Sequence, residues 1–481
     1  MVNDVIEFKK NFEKNFGKWK NKTVALYGLG NSTKDILENI KGYSFIVVAD
    51  VDIGEFFFGK KIYSIQEAVK NCSIVIVVAL PKSVNIIYDR INGYCDNVKI
   101  LNLAGKILNK EDDSYNVKEY INQYAFSKED KLLAEILSKY MKFDENGKIF
   151  MDSFEDLGKI VFSAIFILCL EYLNKIFLED NAFIVFSSRD CYLFSKVYKT
   201  LFGEDFNNCI YLYTSRRALT VPNISDEADI RNILEDIGRF SRGRYDLLVS
   251  ERLGTDVRDV FENEHTTNKN ITENIKKNII LRDKEKIIKN AKLEKENYKK
   301  YLQGYDLKKH KNLYFVDLVT SGTNYRAFMK LIDRECNLVC LGYKNSTEKS
   351  NRKIFSILGN IDIFSSLNTA KYYQLLEIAF SSTEPQVKCF DTTGKKIFER
   401  NTMYNGEAII LMQKGILKIV KEYFDSDENH NKLGISREFA DAMLGLLGNE
   451  YSVKSNILRD GFVYKDAFSG CDEINIWEQL I

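Results

Sequence analysis

At 481 residues the chain exceeds what one ordinary hydrophobic core holds, and about two or three domains are expected. Its 45% hydrophobic and 28% charged residues are those of a globular protein, and a formal net charge of +1 supplies no global field to draw in nucleic acid or a membrane. Nine cysteines without a CxxC pair and three widely spaced histidines, His265, His310 and His430, argue against a disulfide frame, a zinc site or a histidine-based triad, and point to a reducing cytoplasm.

The start, MVNDVIEFKKNFEK, is charged at once and carries no signal-peptide core. Lys22 to Gly30 (KTVALYGLG) reads as a strand running into glycines, Thr33 to Ile40 as a helix, and Ser44 to Asp50 as a second strand ending in acids. Ser73 to Ala79 and Val98 to Leu103 supply a third and a fourth strand. Continuous apolar strands alternating with helices predict a parallel, doubly wound α/β sheet over residues 1–108. Its first turn, Gly28-Leu29-Gly30-Asn31-Ser32-Thr33, has the first two glycines of the dinucleotide fingerprint GxGxxG and a threonine where the third belongs. Asp50 or Asp52 falls about where a ribose-binding acid would follow the second strand. NAD(P) or a nucleotide sugar held through Gly28, Gly30 and Asp50 is one option for this domain, and a regulatory or structural role is the other. Residues 109–150 are charged, helical in pattern, and read as a connection.

Asp152 to Glu179 predicts one long buried helix, whose apolar run Ile160 to Leu170 is too short to span a bilayer and is flanked by Lys159, Glu171 and Lys175. Ala182 to Phe186 is then a strand leading into Ser187-Ser188-Arg189-Asp190, and Cys209 to Tyr213 a second ending in Thr214-Ser215-Arg216-Arg217. Residues 226–306, rich in Lys, Glu, Asn and Arg, read as amphipathic helices inserted as a cap at the ligand edge. Leu313 to Val316 is the third strand, ended by Asp317 and followed by Thr320-Ser321-Gly322-Thr323 and a helical pattern at Tyr325, Phe328, Leu331 and Ile332. Leu338 to Tyr343 is the fourth strand. Strand, acid, hydroxyl-rich glycine turn and helix form the order of a phosphate seat, because unpaired N–H groups at a helix start carry partial positive charge. The carboxyl ends of an open α/β sheet line its ligand crevice, so Arg189, Arg216, Arg217 and the turn from Thr320 to Thr323 are expected around a ligand with several phosphates. After Ser365 the pattern is mainly helical, with Glu377 and Glu384 in LLEIAFSSTEP, a helix that runs into a turn before Pro385.

Asp317-Leu318-Val319-Thr320-Ser321-Gly322-Thr323 resembles the phosphoribosyl-pyrophosphate loop of phosphoribosyltransferases, with Val316 where a first acid normally stands and Thr323 one place early. Over residues 150–480, FSSRDCYLFSKVY, YLYTSRRALTVPNI, FVDLVTSGTNYRAF, LEIAFSSTEPQVKCFD and MQKGI resemble a block of large bacterial polysaccharide-biosynthesis proteins, usually written RDGYL, SRRAL, VDxGxxGT and TSxEP. Cys191 and Val319 stand where that block has glycine. Many such proteins also carry a haloacid-dehalogenase phosphatase domain, whose DxDxT motif this sequence lacks. Residues 1–108 resemble the Rossmann-like domains attached to sugar-modifying enzymes of the same pathways.

The resemblance implies a cytoplasmic glycosyltransferase, peripheral at the inner membrane face, that moves phosphoribose from phosphoribosyl pyrophosphate to a glycan acceptor, lipid-linked or free, of a capsule or O-antigen. A separate phosphatase then removes the 5-phosphate. In this scheme Thr320, Ser321, Gly322 and Thr323 seat the 5-phosphate, and Asp317 holds the ribose hydroxyls or Mg²⁺. Arg189, Arg216 and Arg217 neutralise the diphosphate, and Asp190, Glu377 or Glu384 supplies the base or orienting carboxylate. The domains expected are 1–108 Rossmann-like, 109–150 connecting, 151–365 phosphoribosyltransferase-like α/β with the insertion 226–306, and 366–481 mainly helical. The alternatives are an NAD or nucleotide-sugar enzyme working through the N-terminal domain, and a non-catalytic binding protein of the same pathway.

Overall fold

Two parallel sheets organise the computed structural model, which describes residues 12–29, 31–49, 56–78, 81–94, 98–102, 105, 107–108, 117–202, 208–237, 245–262, 271–344, 354–358, 368–399, 405–426, 434–449, 451–466 and 471–480. The protein is an α/β molecule. Its first sheet holds β1 (Thr23–Tyr27), β2 (Ser44–Val48), β3 (Phe56–Phe57), β4 (Lys60–Tyr63), β5 (Ile74–Val77) and β6 (Lys99–Asn102), in the order β3-β4-β2-β1-β5-β6. All neighbours are parallel except the β3–β4 hairpin, and the strand order reverses between β1 and β5. The apolar runs are continuous because both faces are covered. Val24, Leu26, Ile74 and Ile76 pack on one side, and Ala25, Tyr27, Val75 and Val77 on the other. The β3–β4 hairpin is absent from the sequence expectation, since FF and KKIY are too short and too lysine-rich to read as strands.

The second unit begins with the helices Val117–Tyr124 and Lys128–Ser138 and the hairpin β7 (Lys142–Phe143) and β8 (Ile149–Met151). Its main sheet holds β9 (Phe183–Ser187), β10 (Cys209–Leu212), β11 (Leu313–Thr320), β12 (Asn337–Tyr343) and β13 (Ile354–Ser356), all parallel, in the order β10-β9-β11-β12-β13. The order reverses between β9 and β11. A second hairpin follows, β14 (Val387–Phe390) with β15 (Lys396–Phe398), and β16 (Ser452–Lys454) returns to pair with β8.

Phe154–Asp180 is one continuous helix with a π-turn at Gly158–Phe162; among the described residues it alone is long and apolar enough to cross a membrane, and 83% of its apolar window is buried inside the protein. It crosses the Gly406–Ser426 helix at backbone contact. A Cβ on Gly158 would lie 2.1 Å from the Met412 carbonyl oxygen, and one on Gly415 2.1 Å from that of Glu155. The segment 117–151 and the described residues between 408 and 477 share one hydrophobic core with the sheet, and Tyr120 donates a 3.1 Å hydrogen bond to the Ala442 carbonyl. Of the stretch expected as a connection, 109–150, the described part from 117 on therefore packs with the second unit. Between β10 and β11 the helices Glu227–Ile237, Tyr245–Leu253, Arg258–Glu262 and Glu273–Leu302 form the inserted helical layer with a core of its own.

Candidate functional site

β11 pairs with β9 only from Leu313 to Val316, whereas its pairing with β12 runs on to Thr320. Asp317 is thus the first residue of β11 with no partner on the β9 side, and the crevice of the strand-order reversal opens beside it. Residues at or just beyond the ends of β9, β10, β11 and β12 and on the Asn368–Phe380 helix act on one another there, namely Asp190, Arg216, Asp317, Lys344 and Glu377.

After β9 the chain turns sharply. Ser188 and Thr214 exchange hydrogen bonds, Ser188 N–H donating to Thr214 Oγ1 at 3.0 Å and Thr214 N–H to Ser188 Oγ at 2.9 Å, which locks the ends of β9 and β10 together. Arg189 has φ +67°, a conformation unfavourable for a side-chain-bearing residue. It is held by its N–H donating to Tyr211 Oη at 2.9 Å, and by its carbonyl accepting from Tyr192 and Ser382 N–H. Its guanidinium donates to Gln386 Oε1 at 2.8 Å. Cys191 is a buried thiol lodged against Ser187 and the Val316 carbonyl, and burial pushes its pKa well up; it is packing, not a nucleophile.

Asp190, Asp317 and Glu377 form one electrostatic group. Burial pushes Asp317 up to about 6, and the charge of Asp190 adds to it, while Thr320, the Leu318 N–H and Arg216 pull the other way. Burial likewise pushes Glu377 up to about 8, again helped by Asp190 and more weakly by Asp317, and opposed by Arg216 and Lys344. Both carboxyls are pushed up, Glu377 further than Asp317, a separation of the kind found at acid–base sites. Asp190 accepts from Ser381 Oγ at 3.2 Å. The helix that carries Glu377 is anchored at its start by the buried Asp441, which accepts from the N–H groups of Asn368 and Thr369.

The glycine turn is built on Thr320. Its hydroxyl accepts from Gly322 N–H at 2.9 Å and is bonded to the Asp317 carboxylate, and its carbonyl accepts from Lys344 N–H at 2.8 Å. Thr320 therefore braces the turn instead of pointing at a phosphate. Gly322 sits at φ +79° as the N-cap of the 10-residue helix Thr323–Ile332, which has no side-chain cap. Ser321 and Thr323 are exposed, their hydroxyls 3.1 Å apart at the helix mouth. Arg326, in the first helical turn, donates to the Ser321 carbonyl at 3.1 Å and so brings a cation to the same place.

Two expected ligand residues stand elsewhere. Arg217 is 2% exposed and forms a two-pronged ion pair with Glu294 of the cap, at 2.7 and 2.8 Å. It ties the insertion to the sheet and does not face the crevice. The reason is helical geometry: Ser215 caps the Arg216–Thr220 helix, and adjacent residues on a helix point about 100° apart, so Arg216 turns outward and Arg217 inward. Glu384 is an exposed rim residue that accepts from Tyr213 Oη at 2.6 Å. Lys344, Arg326 and Gln386 were not among the expected site residues. Lys344 was within reach of the same strand-end rule, because it directly follows β12.

Among the described residues no group of three or more His, Cys, Asp or Glu is arranged to hold a metal ion.

At the order reversal of the first sheet, Gly28 has φ +133°, and a Cβ there would lie 2.2 Å from the Val78 carbonyl oxygen. Its glycine is demanded by strand packing. Thr33, in place of the third fingerprint glycine, is fully buried and donates to the Gly28 carbonyl at 2.7 Å. Gly30 and Asp50 lie outside the described residues. No protein-family model matches the chain, and no curated protein matches it.

Proposed function

We propose that the crevice between β9 and β11 binds a phosphoribosyl-pyrophosphate-type donor and transfers its phosphoribosyl group to a hydroxyl of a glycan acceptor. The observation that carries this is the meeting of Asp190, Asp317 and Glu377 with Arg216 and Lys344 beside an uncapped glycine-turn helix. The helix mouth at Ser321, Gly322 and Thr323, with Arg326 beside it, seats the terminal phosphate. Arg216 and Lys344 meet the diphosphate, and Arg189 approaches from the β9 turn. Asp317, anionic at neutral pH, holds ribose hydroxyls and favours the positive charge that develops at C1.

In the transfer step the acceptor oxygen forms a bond to C1 as the C1–diphosphate bond breaks. The diphosphate leaves with the bonding electrons, and the acceptor proton passes to the Glu377 carboxylate. A carboxylate whose pKa is raised to about 8 is a far better base than an ordinary one. Mg²⁺ commonly accompanies such donors; Asp317 together with the donor's phosphates would hold it, and it would help neutralise the departing diphosphate. The setting proposed is the cytoplasm, at the inner membrane face where a lipid-linked glycan is presented, with a separate phosphatase completing the pathway.

The test is diphosphate release from phosphoribosyl pyrophosphate. Wild-type protein should release diphosphate, and Asp317→Ala and Arg216→Ala should lose release by roughly 100-fold or more while melting cooperatively. Full release by both variants would overturn the proposal.

A further inference from the structure

The β3–β4 hairpin at the edge of the first sheet presents a feature that the crevice does not explain. Phe56 is 65% exposed and Phe58 53% exposed, and Lys60 and Lys61 beside them are exposed as well. Phe56 pairs with Lys61 and Phe57 with Lys60, so Phe58 and Gly59 are the two tip residues of a tight turn. Both have positive φ, +46° and +72°. A two-residue turn of this kind favours Asn-Gly or Asp-Gly, and phenylalanine at left-handed φ is strained. The tip therefore carries a large apolar ring in water, in a conformation that a small polar residue would hold more easily. Strain of this sort persists where it serves a function.

The surroundings say which surface the ring suits. Lys34 Nζ lies 5.1 Å from the Phe58 ring centre, and Phe57 stands edge-on to Phe58 at 4.9 Å, so both hold the ring at the tip. Lys34, Lys60 and Lys61 stand beside exposed aromatic rings; among the described residues Lys34 lies 3.9 Å from Glu38, and Lys61 acts on Glu67. A convex tip with protruding aromatic rings and a collar of lysines fits a bilayer interface bearing negative charge. The rings enter the headgroup boundary while each lysine near the surface gains from anionic lipid.

We infer that the Phe56–Lys61 hairpin is a reversible docking point for an anionic phospholipid surface. This inference does not depend on the reaction proposed for the crevice.

The experiment is co-sedimentation of the full chain with vesicles of phosphatidylcholine alone and of phosphatidylcholine mixed with phosphatidylglycerol. Binding is expected to the anionic vesicles and to weaken as salt is raised. Phe58→Asn should lower that binding about tenfold, the scale of one buried aromatic side chain, while melting at or above the wild-type temperature because the turn is relieved. Lys60→Glu with Lys61→Glu should also release the protein. Absence of binding to anionic vesicles, equal binding to neutral ones, or undiminished binding by Phe58→Asn would overturn the inference. So would a concentration-dependent dimer in sedimentation velocity that Phe58→Asn abolishes, which would assign the tip to a second copy of the chain.

Discussion

The two parallel sheets reverse strand order in the same manner, β1 against β5 and β9 against β11, yet among the described residues the two reversals are lined differently. In the first sheet the described edge is closed by packing. Gly28 makes room for the Val78 carbonyl, and Thr33 fills the space a third glycine would leave. In the second sheet the matching edge carries coupled carboxyl groups, cations and a helix mouth. Topology decides where a crevice forms. The residues at the strand ends decide whether it holds an anion.

The largest effects should come from breaking the charged side of this contrast. Asp317→Ala or Arg216→Ala is expected to cut diphosphate release by roughly 100-fold or more, measured under saturating donor. Glu377→Gln should follow, with a loss of about 100-fold and a change in pH dependence. In the proposed reaction the carboxyl of Glu377 must be ionised to accept a proton, so wild-type turnover should rise with pH and level off above about 8. In the Gln variant that rising limb should vanish. A limb that survives unchanged would assign it to another group.

Arg217→Ala separates holding the cap from binding the donor. Removing one partner of a buried ion pair leaves Glu294 with the Asn290 amide but no cation, and a loss of about 3–5 kcal/mol in stability is expected by chemical denaturation. The smallest effect should be that of Thr33→Gly, which restores the GxGxxG pattern in the first sheet. It removes a buried hydroxyl and methyl, and should lower stability by about 1–2 kcal/mol with turnover unchanged. Acquisition of NAD binding by this variant would show that the threonine blocks a working site, and would narrow the contrast between the sheets.

Much of this arrangement is legible in the sequence because strand ends are. The apolar runs before Arg189, Arg216 and Asp317 end in polar groups, and the parallel sheets follow from their continuity. What the sequence does not show is direction and pairing. Arg216 and Arg217 look equivalent in SRRAL, and only the helix that Ser215 caps sends one to solvent and the other to Glu294, 77 residues away. Thr320 looks like a ligand hydroxyl until its bonds to Gly322 and Asp317 are seen. The partnership of residues 117–151 with the C-terminal helices is equally silent, because it joins segments some 300 positions apart, as Tyr120 and Ala442 do at 322. The aromatic tip at Phe58 escapes notice for a different reason: the strands FF and KKIY are too short and too lysine-rich to read as a hairpin.

The most direct test of the donor site is isothermal titration calorimetry with phosphoribosyl pyrophosphate on the wild type, Arg216→Ala and Thr33→Gly. Binding by the wild type and by Thr33→Gly, with affinity lost in Arg216→Ala, is the result predicted. No binding by the wild type, or equal affinity in Arg216→Ala, would contradict the assignment of the donor to the β9–β11 crevice.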